Sequence, residues 1–163
     1  MVEIGNRLTK EMFDNLYHML ENITLRKHNS HTGRLNFPLG YRGGVFGLVR
    51  PRYKYKGYLE DSWFSKKYPL VNDELFRIGK LICPFEFNSI QVNKNVICPR
   101  HKDTGNKGVS LLVSFGEYVG GEIVIEDIKY DAYLTPIIFD GSKNEHYNLD
   151  TLQGTKYSLI FFS

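Results

Sequence analysis

The sequence predicts an α+β protein in which two amphipathic helices precede an antiparallel double-stranded β-helix, or jelly roll. Three observations carry that expectation. Helical periodicity is confined to the first half of the chain. From Phe87 to Phe162 the pattern changes to eight short candidate strands separated by turn residues. The composition of 11 Tyr, 11 Phe and 15 Gly favours strands and tight turns over a helical bundle.

Leu8, Met12, Phe13, Leu16, Tyr17, Leu20 and Ile23 recur at three- and four-residue intervals, predicting a helix from about Thr9 to Leu25. Residues 29–66 read as loops and short strands, because Gly33, Pro38, Gly40, Gly43, Gly44, Gly47, Pro51 and Gly57 punctuate any longer element. A second helix is expected from Val71 to Ile82, with Leu75, Ile78, Leu81 and Ile82 facing inward and Pro84 ending it. The candidate strands are Phe87–Lys94, Ile97–His101, Val109–Phe115, Glu122–Glu126, Ala132–Leu134, Pro136–Phe139, Glu145–Leu149 and Lys156–Phe162. Residues 105–108, Gly116, Gly120, Gly121, Asp140, Gly141 and Gly154 mark the breaks. Helices that precede a β core, rather than alternating with it, give an α+β architecture whose helices buttress one outer face. At 163 residues, one domain is expected over 1–163. Residues 1–85 would form a helical, loop-rich support and 86–163 the jelly-roll core.

No apolar run approaches the roughly 20 residues that span a bilayer, so no membrane partner is expected. The N-terminus lacks the apolar stretch of a secretory signal. Cys83 and Cys98 are too few for a disulfide scaffold and lack zinc-site spacing. An intracellular location, cytoplasmic or nuclear, is therefore expected. The net charge of +3 conceals an asymmetry: Arg26 to Lys56 holds eight basic residues and no Asp or Glu. That leaves 13 basic residues against all 18 acidic ones elsewhere. A segregated basic stretch either attracts a polyanion or is a solvated loop of scattered charge.

Of the five histidines, His101 and His146 lie in the strand-rich half. Asp103 stands two residues after His101, and on extended backbone residues i and i+2 point to the same side. A histidine from a distant strand would complete a two-His-one-carboxylate metal site with open positions. The second and seventh jelly-roll strands are neighbours, and by the strand count these carry His101 and His146. Taken singly, His101 also fits a surface turn and His146 a cross-strand pairing role. Ten residues after His146 come Lys156 and then Ser158, at the start of an otherwise apolar strand. A cation on the inward side of a core strand needs an anionic partner, unless it sits at the strand edge and reaches solvent.

His-x-Asp, a distal His and a basic residue about ten positions later followed by x-Ser resemble the signature of the iron(II)/2-oxoglutarate-dependent dioxygenases. The resemblance runs from Gln91 to Phe162, and Gly-Glu-Tyr-Val-Gly-Gly-Glu (116–122) and Phe139-Asp140-Gly141 are similar to the segments beside the metal ligands. Local words most resemble the TET/JBP group, which oxidises 5-methylpyrimidines in nucleic acid. These words are Asn93-Lys94-Asn95, His101-Lys102-Asp103, Asn106-Lys107-Gly108-Val109-Ser110 and Gly154-Thr155-Lys156-Tyr157-Ser158. One departure is Lys156, where many members use Arg; prolyl and lysyl hydroxylase relatives commonly use Lys, a point charge rather than a planar fork.

The resemblance implies Fe(II), 2-oxoglutarate as cosubstrate and O2, with decarboxylation to succinate coupled to hydroxylation of a substrate C–H bond. It implies His101, Asp103 and His146 as metal ligands, Lys156 and Ser158 on the 5-carboxylate, and Asn93 or Gln91 as a further cosubstrate contact. No catalytic residue beyond the ligands is expected. The retained Asp103 implies hydroxylation rather than halogenation. The leading substrate is the methyl group of a 5-methylpyrimidine in nucleic acid, with Arg50, Arg52, Tyr53 and Tyr55 tracking phosphates and stacking a base. Such an enzyme flips its base from a duplex or takes single strands. Alternatives are a protein prolyl or lysyl hydroxylase, for which the basic segment is a peptide lid, and a non-catalytic jelly-roll binding module.

Overall fold

The computed structural model describes residues 2–27, 42–50 and 58–163. Its first region holds β1 (Glu3–Ile4), α1 (Glu11–Glu21), β2 (Arg26–Lys27), β3 (Arg42–Val49), β4 (Glu60–Asp61), α2 (Trp63–Lys67) and α3 (Pro69–Ile82). The second holds β5 (Ser89–Lys94), β6 (Ser110–Gly120), β7 (Ile123–Ile125), β8 (Ile128–Tyr130), β9 (Ile137–Phe139), β10 (His146–Asn148) and β11 (Thr151–Phe162). The large sheet runs β1-β9-β6-β11-β5-β3-β2, with β4 beside β3, and the small sheet runs β10-β7-β8. All strand pairs in both sheets are antiparallel. His101 pairs in isolation with His146 and so extends the small sheet past β10. Two facing antiparallel sheets with this crossing order form the expected jelly roll.

Strand alternation divides the large sheet into two chemically different faces. Ile90, Val92, Leu111, Val113, Phe115, Tyr157, Leu159 and Phe161 point outward, where Phe13, Leu16 and Leu20 of α1 and Leu75 and Ile78 of α3 cover them. Phe13 stacks on Phe115 with ring centroids 4.9 Å apart. The helices buttress one outer face, as expected. Intervening positions turn toward the small sheet and line the cleft described below.

Both predicted helices exist, with shifted ends. α1 stops at Glu21 rather than near Leu25; Asn22 turns back, its side-chain amide donating to the His18 carbonyl at 2.7 Å, and β-branched Ile23 and Thr24 follow. α3 starts at Pro69, a residue already shaped for a first helical turn, and ends where Cys83 turns extended before Pro84. Leu81 is 64% exposed, contrary to its expected inward position. The buried stripe runs through Val71, Leu75 and Ile78, and Leu81 lies off it.

The glycine-rich first half holds more regular structure than expected. β3 is eight residues long and joins β5 in the large sheet, so the first region contributes strands as well as support. A Cβ on Gly44 would lie 2.7 Å from the Phe64 ring, so here glycine permits close packing inside a strand. α2 was not anticipated; Ser62 caps it, accepting from the Ser65 amide at 3.1 Å.

Two expected strands are absent. Ile97–His101 is reduced to the single bridge at His101, because Asn95 turns left-handed (φ 51°) and Pro99 has no amide for a ladder. Ala132–Leu134 is a turn with one bridge from Tyr133 to Ser114, and Leu134 has φ 50°. Its place in the small sheet is taken by β8, reached through a tight turn at Glu126 and Asp127 with φ 47° and 66°. Conversely, Gly116 and Gly154, expected as breaks, lie within β6 and β11. Among the described residues no helix is long and apolar enough to cross a membrane.

Candidate metal centre

His146 opens β10, and its amide and carbonyl exchange 3.0 Å hydrogen bonds with those of His101. That bridge brings both imidazoles to one side of the cleft, with ring centroids 4.3 Å apart. The Asp103 amide donates to the Gly141 carbonyl at 2.7 Å, turning its carboxylate between the rings. A Cβ on Gly141 would fall 2.9 Å from Asp103 Oδ2, so a side chain there would displace the carboxylate. The edge of the Phe139 ring meets His146 at a centroid distance of 5.0 Å. His146 is buried, while His101 and Asp103 are half-buried at the rim.

The three side chains present ligand atoms that all lie within 4.8 Å of one another. His101 Nε2 is 3.3 Å from Asp103 Oδ1, and His146 Nε2 is 3.1 Å from Oδ2. The opposite ring nitrogens face carbonyl oxygens: Nδ1 of His101 is 2.7 Å from the Pro99 carbonyl, and Nδ1 of His146 is 2.9 Å from that of Asn144. A carbonyl can only accept, so both Nδ1 atoms carry protons. Neutral rings then aim Nε2 lone pairs at carboxylate oxygens, a repulsive contact unless a proton or a cation lies between. Metal-bound histidines characteristically use their second nitrogen in this way. Bonds of about 2.1 Å to an octahedral ion put adjacent ligand atoms about 3 Å apart, close to these separations. Burial would raise the Asp103 pKa, but the hydrogen bonds and attraction that His101 and His146 supply when they carry a second proton hold it well below the ordinary carboxylate range, so the carboxylate favours a positive partner between it and the rings. The residues therefore fit a divalent cation.

Behind the triad the cleft is a cavity of about 480 Å³ between the sheets. Lys156 lines it and is 1% exposed. Its ammonium donates to the Gly121 carbonyl at 2.9 Å, and among the described residues no carboxylate lies within salt-bridge distance. Burial pushes its pKa down to about 8, with Cys98 and Glu122 pulling the other way. A buried ammonium with one carbonyl partner favours an incoming anion. Ser158 is buried and shares a 2.9 Å hydrogen bond with Ser114 directly across the strand pair. Asn93 faces Ser158 on the other side and accepts from the Gln91 amide at 2.9 Å.

All five of the expected metal and carboxylate-end residues thus line one cavity, with Asn93 and Gln91 beside them. Arg50 lies elsewhere, at the end of β3, donating to the Gly105 carbonyl at 3.4 Å in a second cavity of about 760 Å³. Arg52, Tyr53 and Tyr55 lie outside the described residues. Sequence reasoning missed Ser110, Ser114 and Cys98 as cleft-facing or supporting residues. The available signal was a serine at 110 and 114, four apart on one face of an otherwise apolar strand.

No protein-family model and no curated protein matches the chain. Solved structures do. The chain is similar to NgTET1, solved in complex with 5mC DNA, at TM-score 0.66 and 15% identity over 99% of this chain and 71% of that one. It is also similar to an oxidoreductase of the 2OG-Fe(II) oxygenase family from Burkholderia pseudomallei (TM-score 0.60, 15% identity, 99% and 84% covered). A third is a prolyl hydroxylase from Trichoplax adhaerens in complex with a hypoxia inducible factor peptide fragment (0.57, 12%, 99% and 83%). Across these three, the shared architecture is the jelly roll that the strand order displays: this chain has the fold of the 2OG-Fe(II) oxygenases.

Proposed function

We propose that this chain is an Fe(II)/2-oxoglutarate-dependent oxygenase that hydroxylates a substrate C–H bond. The observation that carries the reading is the pair of Nε2 atoms aimed at one carboxylate, each ring fixed from behind by a carbonyl. His101, Asp103 and His146 would hold the iron from one face, leaving the cavity side open. When bound, the iron supplies the redox chemistry that couples decarboxylation of 2-oxoglutarate to substrate hydroxylation. Lys156 would bind the distal carboxylate of the cosubstrate, supported by Ser158, whose orientation Ser114 fixes. Asn93 would line the cosubstrate's path. Leu112, Ile123 and Phe139 add apolar walls beside these polar groups.

The substrate we favour is a 5-methylpyrimidine base in nucleic acid. Its support is the basic run from Arg26 to Lys56, of which Arg50 lines the second cavity with Lys107 beside exposed Tyr58. Cations and aromatic faces together suit phosphates and bases. The rival, a prolyl or lysyl side chain of a protein, is favoured by lysine rather than arginine at position 156. Anaerobic addition of Fe(II) and 2-oxoglutarate should give a weak visible charge-transfer band that Asp103→Ala removes, and in the presence of O2 the same substitution should lower succinate release at least about a hundredfold. A wild type with no band would overturn the oxygenase reading. Succinate release stimulated only by proline-rich peptide, and not by a 5-methylcytosine oligonucleotide, would overturn the substrate.

A further inference from the structure

Ser110 is 2% exposed, and its hydroxyl has no hydrogen-bond partner among the described residues. It nevertheless lines the metal cleft. A buried hydroxyl left unpaired costs free energy that a ligand can recover. Its place in the fold decides which ligand. Ser110 opens β6 opposite Phe139, whose ring meets His146, and Gly141 two residues on abuts Asp103. Ser110 is therefore at the triad end of the cleft. Lys156 pairs with Gly116, six residues further along β6, so its backbone lies at the other end of the cleft. The cosubstrate held between Lys156 and the triad comes from that far end, so the group that meets Ser110 is the one that approaches from the other side.

The second cavity reaches the Ser110 end. It shares Asn106 and Phe162 with the metal cleft, and Phe161 pairs with Leu111, so Phe162 ends level with Ser110. Arg50 and Lys107 line this approach. We infer that Ser110 is a specificity-determining residue: its hydroxyl hydrogen-bonds the polar edge of the group that enters from the second cavity and is presented to the metal centre. The inference rests on the oxygenase reading above. A hydroxyl both donates and accepts, so it suits a carbonyl oxygen or ring nitrogen of a nucleobase. In an apolar surround formed by Leu112, Ile160 and Phe139, one such bond discriminates strongly.

The test is equilibrium binding of a labelled single-stranded oligonucleotide carrying 5-methylcytosine, under anaerobic Fe(II) and 2-oxoglutarate. Ser110→Ala should weaken binding about tenfold, with cosubstrate affinity and the charge-transfer band held within about twofold. Ser110→Thr and Ser110→Val have nearly the same shape and differ in the hydroxyl, so Thr should bind about tenfold more tightly than Val. Equal binding by Thr and Val with an intact band would overturn the role of Ser110 alone. A fall in 2-oxoglutarate affinity in Ser110→Ala would also overturn it, since the hydroxyl would then serve the cosubstrate. If the wild type binds a proline-rich peptide instead, the nucleic-acid substrate falls and the same Thr–Val comparison with that peptide decides Ser110. Wild type binding neither probe would overturn both.

Discussion

The two faces of β11 carry opposite chemistry on one backbone. Tyr157, Leu159 and Phe161 face the helices, fully buried among apolar and aromatic neighbours. Lys156, Ser158 and Ile160 face the cleft, where a buried ammonium donates to the Gly121 carbonyl and a serine leans on another serine. One face is apolar and packed against the helices, and the other turns polar groups toward the cavity. Stability and binding are thus written on alternate residues of the same strand, and substitutions one position apart should fail in different ways.

The largest effect is expected on the helix side. Phe161→Ala removes a ring that packs against Phe87 and lies beneath Gly79, and should cost about 3–5 kcal/mol in urea unfolding. Metal affinity of the molecules that remain folded should be unchanged; a matching loss of affinity would show that the two faces are not separable. Next is Lys156, whose burial should make the protein less stable without an anion. Its pKa is about 8 when folded against an ordinary 10.5, so the folded state disfavours the proton. Stability without cosubstrate should therefore rise between about pH 8 and 10.5, by on the order of 2–3 kcal/mol, and Lys156→Met should abolish that rise. Cosubstrate affinity should instead fall as pH climbs past about 8, and a flat profile would place the anion elsewhere. The smallest effect is at Gly141→Ala, where the new methyl displaces Asp103; iron affinity should drop about tenfold while the melting temperature moves little.

Much of this division was legible in the sequence, because period-two alternation in β5, β6 and β11 names both faces at once. Lys156 and Ser158 could be picked out as polar residues opening an apolar strand, and His101, Asp103 and His146 by the i, i+2 spacing and the resemblance to a metal-binding signature. The illegible parts share a physical cause. Glycine in β3, β6 and β11 serves close packing and unusual φ inside strands, whereas in sequence it reads as a break. The turn at Glu126 and Asp127 adopts positive φ without the glycine or asparagine that would announce it. Ser110 and Ser114 are small and common, and their significance comes only from a register set by distant strands.

The carbonyls that fix the two histidine rings belong to Pro99 and Asn144, each two residues before the histidine it orients. Both are main-chain atoms. The side chains at 99 and 144 can change freely so long as the chain keeps its path, and the ring tautomers will still be set before any ion arrives. The backing of the two histidine rings therefore leaves no signature in residue identity, whereas that of Asp103 does, since a side chain at Gly141 would displace its carboxylate.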